Sequence, residues 1–243
     1  ADYCVTLNSG TSALHATLLS YNLGKEDEIL IPSFSFVSTA NSVLFVNSIP
    51  KFVDIEEETF GIDPDKISEN VSSKSKAIIP MDYGGISCKI MDIQEQAKDN
   101  NLILIEDAAE SLGSSINNKK LGGISDSTIF SFCGNKVLTT GEGGAVVTNS
   151  KEVYEKIKLI RSHGRIDTKD YFSNPSESSY VGLGYNWRMS SITATLGISQ
   201  LQKLDKIIRM RKENAKCIID NLQKIPEISV PLPPKDHEHI YQM

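Results

Sequence analysis

The sequence has few of the features that mark secreted, metal-binding or membrane proteins. Its four cysteines, at positions 4, 88, 133 and 217, are far apart and form no C-x-x-C pair. This spacing indicates neither a disulfide framework nor a zinc site. No apolar run approaches the roughly 20 residues that span a bilayer, and no basic segment followed by an apolar stretch opens the chain. We therefore expect a cytoplasmic protein that is not membrane-embedded and has no metal site.

Positive charge is also scarce. The 25 Lys and Arg residues are outnumbered by 31 Asp and Glu, which gives a formal net charge of -6. An acidic chain without a basic run is a poor partner for nucleic acid or an anionic membrane. With 40% hydrophobic and 23% charged residues, the composition is that of a globular protein. These features favour a small-molecule function.

The sequence also lacks two common nucleotide-binding motifs. It has no G-x-G-x-x-G after its first predicted strand and no G-x-x-x-x-G-K-S/T loop. No motif therefore supports the interpretation that the chain is a generic nucleotide-binding α/β domain.

What is present is an alternation of short apolar runs and amphipathic segments. The runs predict buried strands at residues 5–7, 28–31, 51–53, 77–81, 102–105, 128–132 and 145–148. The amphipathic segments predict helices at residues 12–21, 63–71 and 90–100. This order predicts an α/β fold with a mostly parallel sheet.

The pattern changes after residue 148. We predict a helix at residues 151–160, an irregular polar stretch at 167–179, a long helix at 190–222 and a loop at 226–234. The chain opens on a strand without Met and stops without a terminating element, so we expect a fragment. A second domain is expected to begin near its end.

Three segments have residue types suited to ligand chemistry. Residues 8–14 form a small-residue turn before a helix, where free amide groups bind phosphate, although a plain N-cap has the same composition. Asp107 ends an apolar strand, where a carboxylate can hold a pyridine nitrogen protonated or simply cap the next helix. Lys136 follows another strand and precedes a glycine-rich turn, and a lysine amine can form a Schiff base with an aldehyde.

A fourth segment, Gly184 to Ser190, combines aromatic, amide and cationic side chains before a helix start. It is suited to a ligand or subunit contact, and equally to an aromatic loop ahead of an N-cap at Ser190.

Taken together, five motifs in order resemble the DegT/DnrJ/EryC1/StrS sugar aminotransferases, which use pyridoxal 5'-phosphate (PLP) and have the aspartate aminotransferase fold. The motifs are SGTSAL from Ser9, PSFSF from Pro32, EDAAE from Glu106, FSF…K…TTGEGG from Phe130 to Gly144, and GYNWRM from Gly184. The resemblance implies a three-layer α/β/α large domain over residues 1–200. Residues 201–243 would form an interdomain helix and the start of a truncated small C-terminal domain, with an N-terminal segment missing.

The resemblance also implies a role for each motif. Lys136 would carry PLP as a Schiff base and move protons, and Asp107 would pair with the pyridinium nitrogen. Phe36 would stack on the ring. Gly10, Thr11, Ser12 and Ser131 would hold the phosphate, and Asn186 would reach it from the partner subunit of a homodimer.

Two positions depart from the family's common residues. Glu110, which the resemblance makes a cofactor-binding residue near the ring hydroxyl, stands where glutamine is common, and Leu112 replaces a frequent histidine. Glu110, with Gly134 to Lys136, resembles the perosamine-synthase-like branch. That branch implies a nucleotide-linked keto-6-deoxy sugar as acceptor, with a 4-keto group favoured over a 3-keto group, and L-glutamate as amino donor. His163 is a candidate sugar contact, or else a helix-terminal histidine bonded to backbone carbonyls.

Two related functions remain open. A sugar dehydratase on the same scaffold has histidine in place of the Schiff-base lysine, and Lys136 argues against it. A non-catalytic relative would bind a sugar nucleotide without turnover.

Overall fold

A computed structural model describes residues 1–166 and 179–243. The strands in these residues are β1 (Tyr3–Leu7), β2 (Glu28–Pro32), β3 (Ile49–Val53), β4 (Ser75–Ile78), β5 (Ile103–Asp107), β6 (Ser115–Ile116), β7 (Lys119–Lys120), β8 (Ser127–Ser131), β9 (Gly144–Thr148) and β10 (His237–Glu238). Seven of them form one sheet in the order β1-β9-β8-β5-β4-β2-β3. β9 pairs antiparallel with β1 and β8, whereas the other pairs of this sheet are parallel. The prediction of a mixed, mostly parallel sheet is confirmed.

The helices are α1 (Gly10–Ser20), α2 (Val37–Phe45), α3 (Ile67–Asn70), α4 (Ile90–Asp99), α5 (Lys151–Ile160), α6 (Ser191–Leu201) and α7 (Leu204–Leu222). The single helix predicted at residues 63–71 is wrong, because Pro64–Lys66 forms a 3-10 turn before the short α3. α2 was not predicted, since its Ser, Thr and Val residues are modest helix formers. It forms by packing against α1.

Both faces of the large sheet are covered. Ile29 and Ile31 of β2 pack in one cluster with α1, α2 and α5, whereas Leu30 between them packs in a second cluster with α3 and α4. Successive side chains of a strand point to opposite faces, so a strand buried on both sides is apolar throughout. The result is the three-layer α/β/α arrangement.

The long helix predicted at residues 190–222 is two helices. α6 ends at Leu201 and α7 begins at Leu204, and the intervening Lys203 has a φ of -102°. The apolar periodicity continues through both, so the sequence pattern does not reveal the break. Packing separates them: α7 buries Ile208 against Val137 and Ile240, whereas α6 buries none of its residues.

The last described segment forms part of a second, smaller sheet. Residues 226–234 contain no helix or strand, as predicted. β10 then pairs with β6 in a small antiparallel sheet, β10-β6-β7. Within residues 1–166 and 179–243, no helix is long and apolar enough to cross a bilayer. Most of the predicted irregular stretch, residues 167–178, lies outside the described residues.

Candidate active site

A cavity of about 340 Å³ opens at the end of β5, between the start of α1 and the loop after β8. Seven of the residues that the sequence singled out line it: Gly10, Thr11, Phe36, Asp107, Glu110, Ser131 and Lys136. The carboxyl ends of parallel strands and the following helix N-termini meet at such an edge, which is where α/β proteins bind ligands. The motifs are far apart in sequence, and the fold gathers them around one space.

Asp107 is held in one orientation inside this cavity. It is 2% exposed. Its Oδ2 accepts a hydrogen bond from Thr39 Oγ1 at 2.9 Å, and its Oδ1 accepts one from the Ala109 amide at 3.2 Å. Burial raises the pKa of Asp107, and both hydrogen bonds oppose the rise because they favour the charged carboxylate. The carboxylate is therefore suited to a cationic partner.

Lys136 lines the cavity and contacts Glu110. Its Nζ is 3.0 Å from Glu110 Oε1, and both side chains are mostly buried. Glu110 Oε2 accepts a hydrogen bond from the Gly84 amide at 2.9 Å. The glutamate thus has both oxygens engaged and holds the lysine amine at a defined place.

The start of α1 forms another part of the cavity wall. Ser9 is the N-cap, and its side chain accepts a hydrogen bond from the Ser12 amide at 3.0 Å. A Cβ on Gly10 would lie 2.9 Å from Ser131 Cβ, so only glycine allows α1 to approach β8 this closely. Amide groups of a first helical turn attract anions.

Ser12 occupies a different place from its neighbours. Its hydroxyl donates to Asn8 Oδ1 at 2.7 Å, and it is not among the described residues that line the cavity. Ser9 lines the cavity instead. Phe36, which precedes α2, lies on the wall with 65% of its surface exposed and is free to contact a flat ligand.

His163 and Asn186 also lie away from the cavity lining. His163 is exposed with a φ of +62°, and its amide donates to the Tyr185 carbonyl at 2.9 Å. Asn186 is exposed and forms a β-bridge with Ser162. Neither contributes to this cavity from within the same chain.

Sequence reasoning missed three residues that shape the site. Thr39 donates a hydrogen bond to Asp107, 68 positions away in the sequence, and Gly84 donates one to Glu110, 26 positions away. Gln242 donates to the Asn135 carbonyl beside Lys136. Each contact joins separate elements, so no local motif marks it.

Behind Asp107 lies a closed pair of carboxyl groups, Asp82 and Glu106. Neither is exposed to solvent. Glu106 Oε2 accepts from Thr128 Oγ1 at 2.7 Å and Ser125 Oγ at 3.3 Å, and Asp82 Oδ2 accepts from Ser111 Oγ at 2.9 Å. Burial raises the pKa of Asp82 well above its usual value and raises that of Glu106 to about 6. The charge of Glu106 adds to the rise at Asp82, so the buried pair favours holding a proton.

The cavity fits a ligand with three features. Asp107 suits a protonated ring nitrogen, Lys136 suits an aldehyde, and the start of α1 suits a phosphate. Gly10 and Thr11, at the start of α1, both line the cavity where a phosphate would lie. PLP has all three groups.

Comparison with known proteins agrees with this fit. A model of the DegT/DnrJ/EryC1/StrS aminotransferase family matches residues 1–243. A GDP-perosamine synthase from Caulobacter vibrioides is 36% identical and matches over 87% of this chain and 57% of its own length. A UDP-4-amino-4,6-dideoxy-N-acetyl-β-L-altrosamine transaminase from Campylobacter jejuni is 41% identical, over 86% of this chain and 54% of its own length.

Solved aminotransferase structures also match the fold of this chain. The Helicobacter pylori aminotransferase PseC, involved in the biosynthesis of pseudoaminic acid, has a TM-score of 0.89 at 34% identity, and the match covers 100% of this chain and 64% of that protein. The Streptococcus pneumoniae protein Spr1654, 26% identical to this chain, has been solved in both a PLP form and a PMP form. The family's enzymes are PLP-dependent. The chain spans somewhat more than half the length of these relatives.

Proposed function

The chain belongs to the DegT/DnrJ/EryC1/StrS aminotransferase family, and on this premise we propose that it is a PLP-dependent aminotransferase of nucleotide-linked keto sugars. The observation that carries the proposal is the contact between Lys136 Nζ and Glu110 Oε1, at 3.0 Å. It lies in the cavity that Asp107 also lines. A buried amine, a buried carboxylate and an anion-binding helix start in one cavity match the chemistry of PLP. Few other ligands need all three.

Each cavity residue has a defined task in this proposal. Bound PLP supplies an electron-accepting ring that stabilises negative charge on the substrate carbon. Asp107 pairs with the pyridinium nitrogen, and Phe36 stacks on the ring. Gly10, Thr11 and Ser131 hold the phosphate, joined by Ser9, which lines the cavity, whereas Ser12 acts through the N-cap.

Lys136 is the proton carrier in this proposal. Its Nζ binds the cofactor and, once released, removes and returns protons at the reacting carbon. Glu110 Oε1 holds the amine on the cavity side and can accept its proton. Because Gly84 fixes the second oxygen of Glu110, the acceptor stays in place while the amine moves.

The names of the relatives support a proposal about the substrate that accepts the amino group. One is a GDP-perosamine synthase and another a transaminase of a UDP-linked amino sugar. We propose a keto-6-deoxy sugar linked to a nucleotide, with the keto group at carbon 4 rather than carbon 3, and L-glutamate as the donor. His163, exposed beside the Tyr185 loop, remains a candidate sugar contact for a site shared between subunits.

We also propose a homodimer. α6 is apolar and buries none of its residues within the chain, and Ile192 is 86% and Ile198 64% exposed. Such a helix fits an interface with a second copy. The exposed Asn186 lies just before α6 and would reach the phosphate of the partner's cofactor. In this arrangement residues 1–200 form the PLP-binding domain, and residues 201–243 lead into a small domain.

The absorbance spectrum of the purified protein with PLP, before and after L-glutamate, tests the proposal. We expect the spectrum of lysine-bound PLP, then conversion to the PMP spectrum on adding glutamate. Lys136→Ala should abolish both, whereas Lys89→Ala, which removes another lysine paired with glutamates, should change neither. No lysine-bound spectrum in the unaltered protein would overturn the assignment. A spectrum that ignores glutamate would indicate another donor, a dehydratase or a non-catalytic relative.

A further inference from the structure

The segment that ends the described chain returns to the lysine of the cavity. Gln242 is 4% exposed and uses both ends of its side-chain amide. Its Oε1 accepts from the Val137 amide at 2.8 Å, and its Nε2 donates to the Asn135 carbonyl at 2.6 Å. These two backbone groups flank Lys136. Gln242 therefore binds the main chain on either side of the residue proposed to carry the cofactor.

The backbone of Gln242 reaches the other side of the same ion pair. Its amide donates to the Gly84 carbonyl at 2.9 Å, and the Gly84 amide donates to Glu110 Oε2 at 2.9 Å. Glu110 Oε1 in turn contacts Lys136 Nζ. The contacts form a closed ring that runs from Lys136 through Glu110, Gly84 and Gln242 back to the lysine's main chain.

The segment that carries Gln242 is itself anchored. Arg211 of α7 donates to the carbonyls of Tyr241 and Gln242 at 3.0 and 2.9 Å. Ile240 is fully buried and packs with Val137 and Ile208. A Cβ on Gly85 would lie 2.8 Å from the Gln242 amide nitrogen, so these two segments of the chain approach each other closely. The glutamine is thus a fixed support and not a loose side chain.

We propose that Gln242 is a positioning residue for Lys136, and that it holds Nζ against Glu110. The role of Lys136 rests on the proposed function, but the contacts of Gln242 do not. A neutral amide fixes the lysine's main chain without adding charge to the cavity, so the amine keeps Glu110 as its charged neighbour. Without both bonds the lysine segment gains freedom, and the ion pair weakens.

The test is the rate of acetylation at Lys136 at one fixed pH in protein freed of cofactor, measured site by site by mass spectrometry. Gln242→Met keeps the volume and removes both side-chain bonds, and Gln202→Ala, at the exposed end of α6, is the matched control. We expect Lys136 in Gln242→Met to be acetylated about threefold faster, with no change at Lys89, because the amine is no longer held against Glu110. The control should follow the unaltered protein.

A folded Gln242→Met with an unchanged acetylation rate at Lys136 would overturn the proposal, as would an equal increase at Lys89 or in Gln202→Ala. If Gln242→Met does not fold, the same measurement is made on Gln242→Asn, whose amide is too short to reach both groups. The spectrum with PLP separates the two claims. An unaltered protein that forms no lysine-bound PLP refutes the proposed function, whereas the acetylation rate still tests Gln242.

Discussion

Glu106 and Asp107 are consecutive carboxylates on β5, yet they lie in opposite surroundings. Neighbouring side chains of a strand point to opposite faces of the sheet. Asp107 faces α2 and the cavity, where Thr39 fixes it, whereas Glu106 faces the closed interior beside Asp82, Ser125 and Thr128. Both are buried, so burial alone does not distinguish a functional carboxylate from a structural one. Access to a cavity does.

The difference also appears in what balances each charge. One side of Asp107 faces the cavity, where a cationic ligand can bind. Glu106 has no such side, and its Oε1 has no hydrogen-bond partner among the described residues. A closed site of this kind keeps a proton because nothing else neutralises it.

Replacing each carboxylate by its own amide would separate function from stability most strongly. Asp107→Asn keeps the shape and an acceptor for Thr39 but removes the charge, so we expect kcat/KM to fall about 10²-fold or more with little loss of stability. Glu106→Gln should keep most of the activity. Steady-state kinetics and urea unfolding measure the two effects. Equal losses of activity in both variants would mean that the open and closed carboxylates do not differ in function.

Truncation of the closed carboxylate should cost stability. Glu106→Ala removes the acceptor of two buried hydroxyl groups and leaves a cavity, for an expected loss of about 3 kcal/mol in the free energy of unfolding. Glu106→Gln retains an acceptor for the hydroxyls and offers Asp82 a donor, so its loss should be much smaller. Urea unfolding at neutral pH compares them, and an Ala variant as stable as Gln would contradict this account.

The pair should also make stability depend on pH. Between pH 4.5 and about 6 the unfolded chain has released the proton of Glu106 while the folded chain retains it. Stability therefore falls as pH rises through this window, by about 2 kcal/mol, and is then independent of this group. Urea unfolding at several pH values should show a smaller fall in Glu106→Gln. An unchanged fall would exclude Glu106 as its source, and exposed Glu152→Gln is the control.

The positions of the main strands along the chain and the cavity-lining motifs could be predicted because they depend on local patterns. Apolar runs marked β2, β4 and β5, and the segments that contain Gly10, Asp107 and Lys136 have distinctive neighbours. The contacts that tune the site could not. Gln242 lies 105 residues from Val137, and no periodicity or turn composition links the two positions. The break between α6 and α7 was missed for the same reason, because packing and not sequence periodicity decides it.

The smallest expected effect tests how Asp107 is tuned. Thr39→Val keeps the shape of the side chain but removes the hydroxyl that donates to Asp107 Oδ2 at 2.9 Å. We expect kcat/KM to fall about tenfold, since a hydrogen bond to a charged group contributes roughly 1.5 kcal/mol or more. Because that bond lowers the pKa of Asp107, its loss should raise the pKa, and activity on the acid side should be lost at higher pH. Thr39→Ser keeps the hydroxyl and should retain the original pH–rate profile. A Val variant whose acid limb does not move would show that Ala109 and the cavity, without Thr39, keep Asp107 charged.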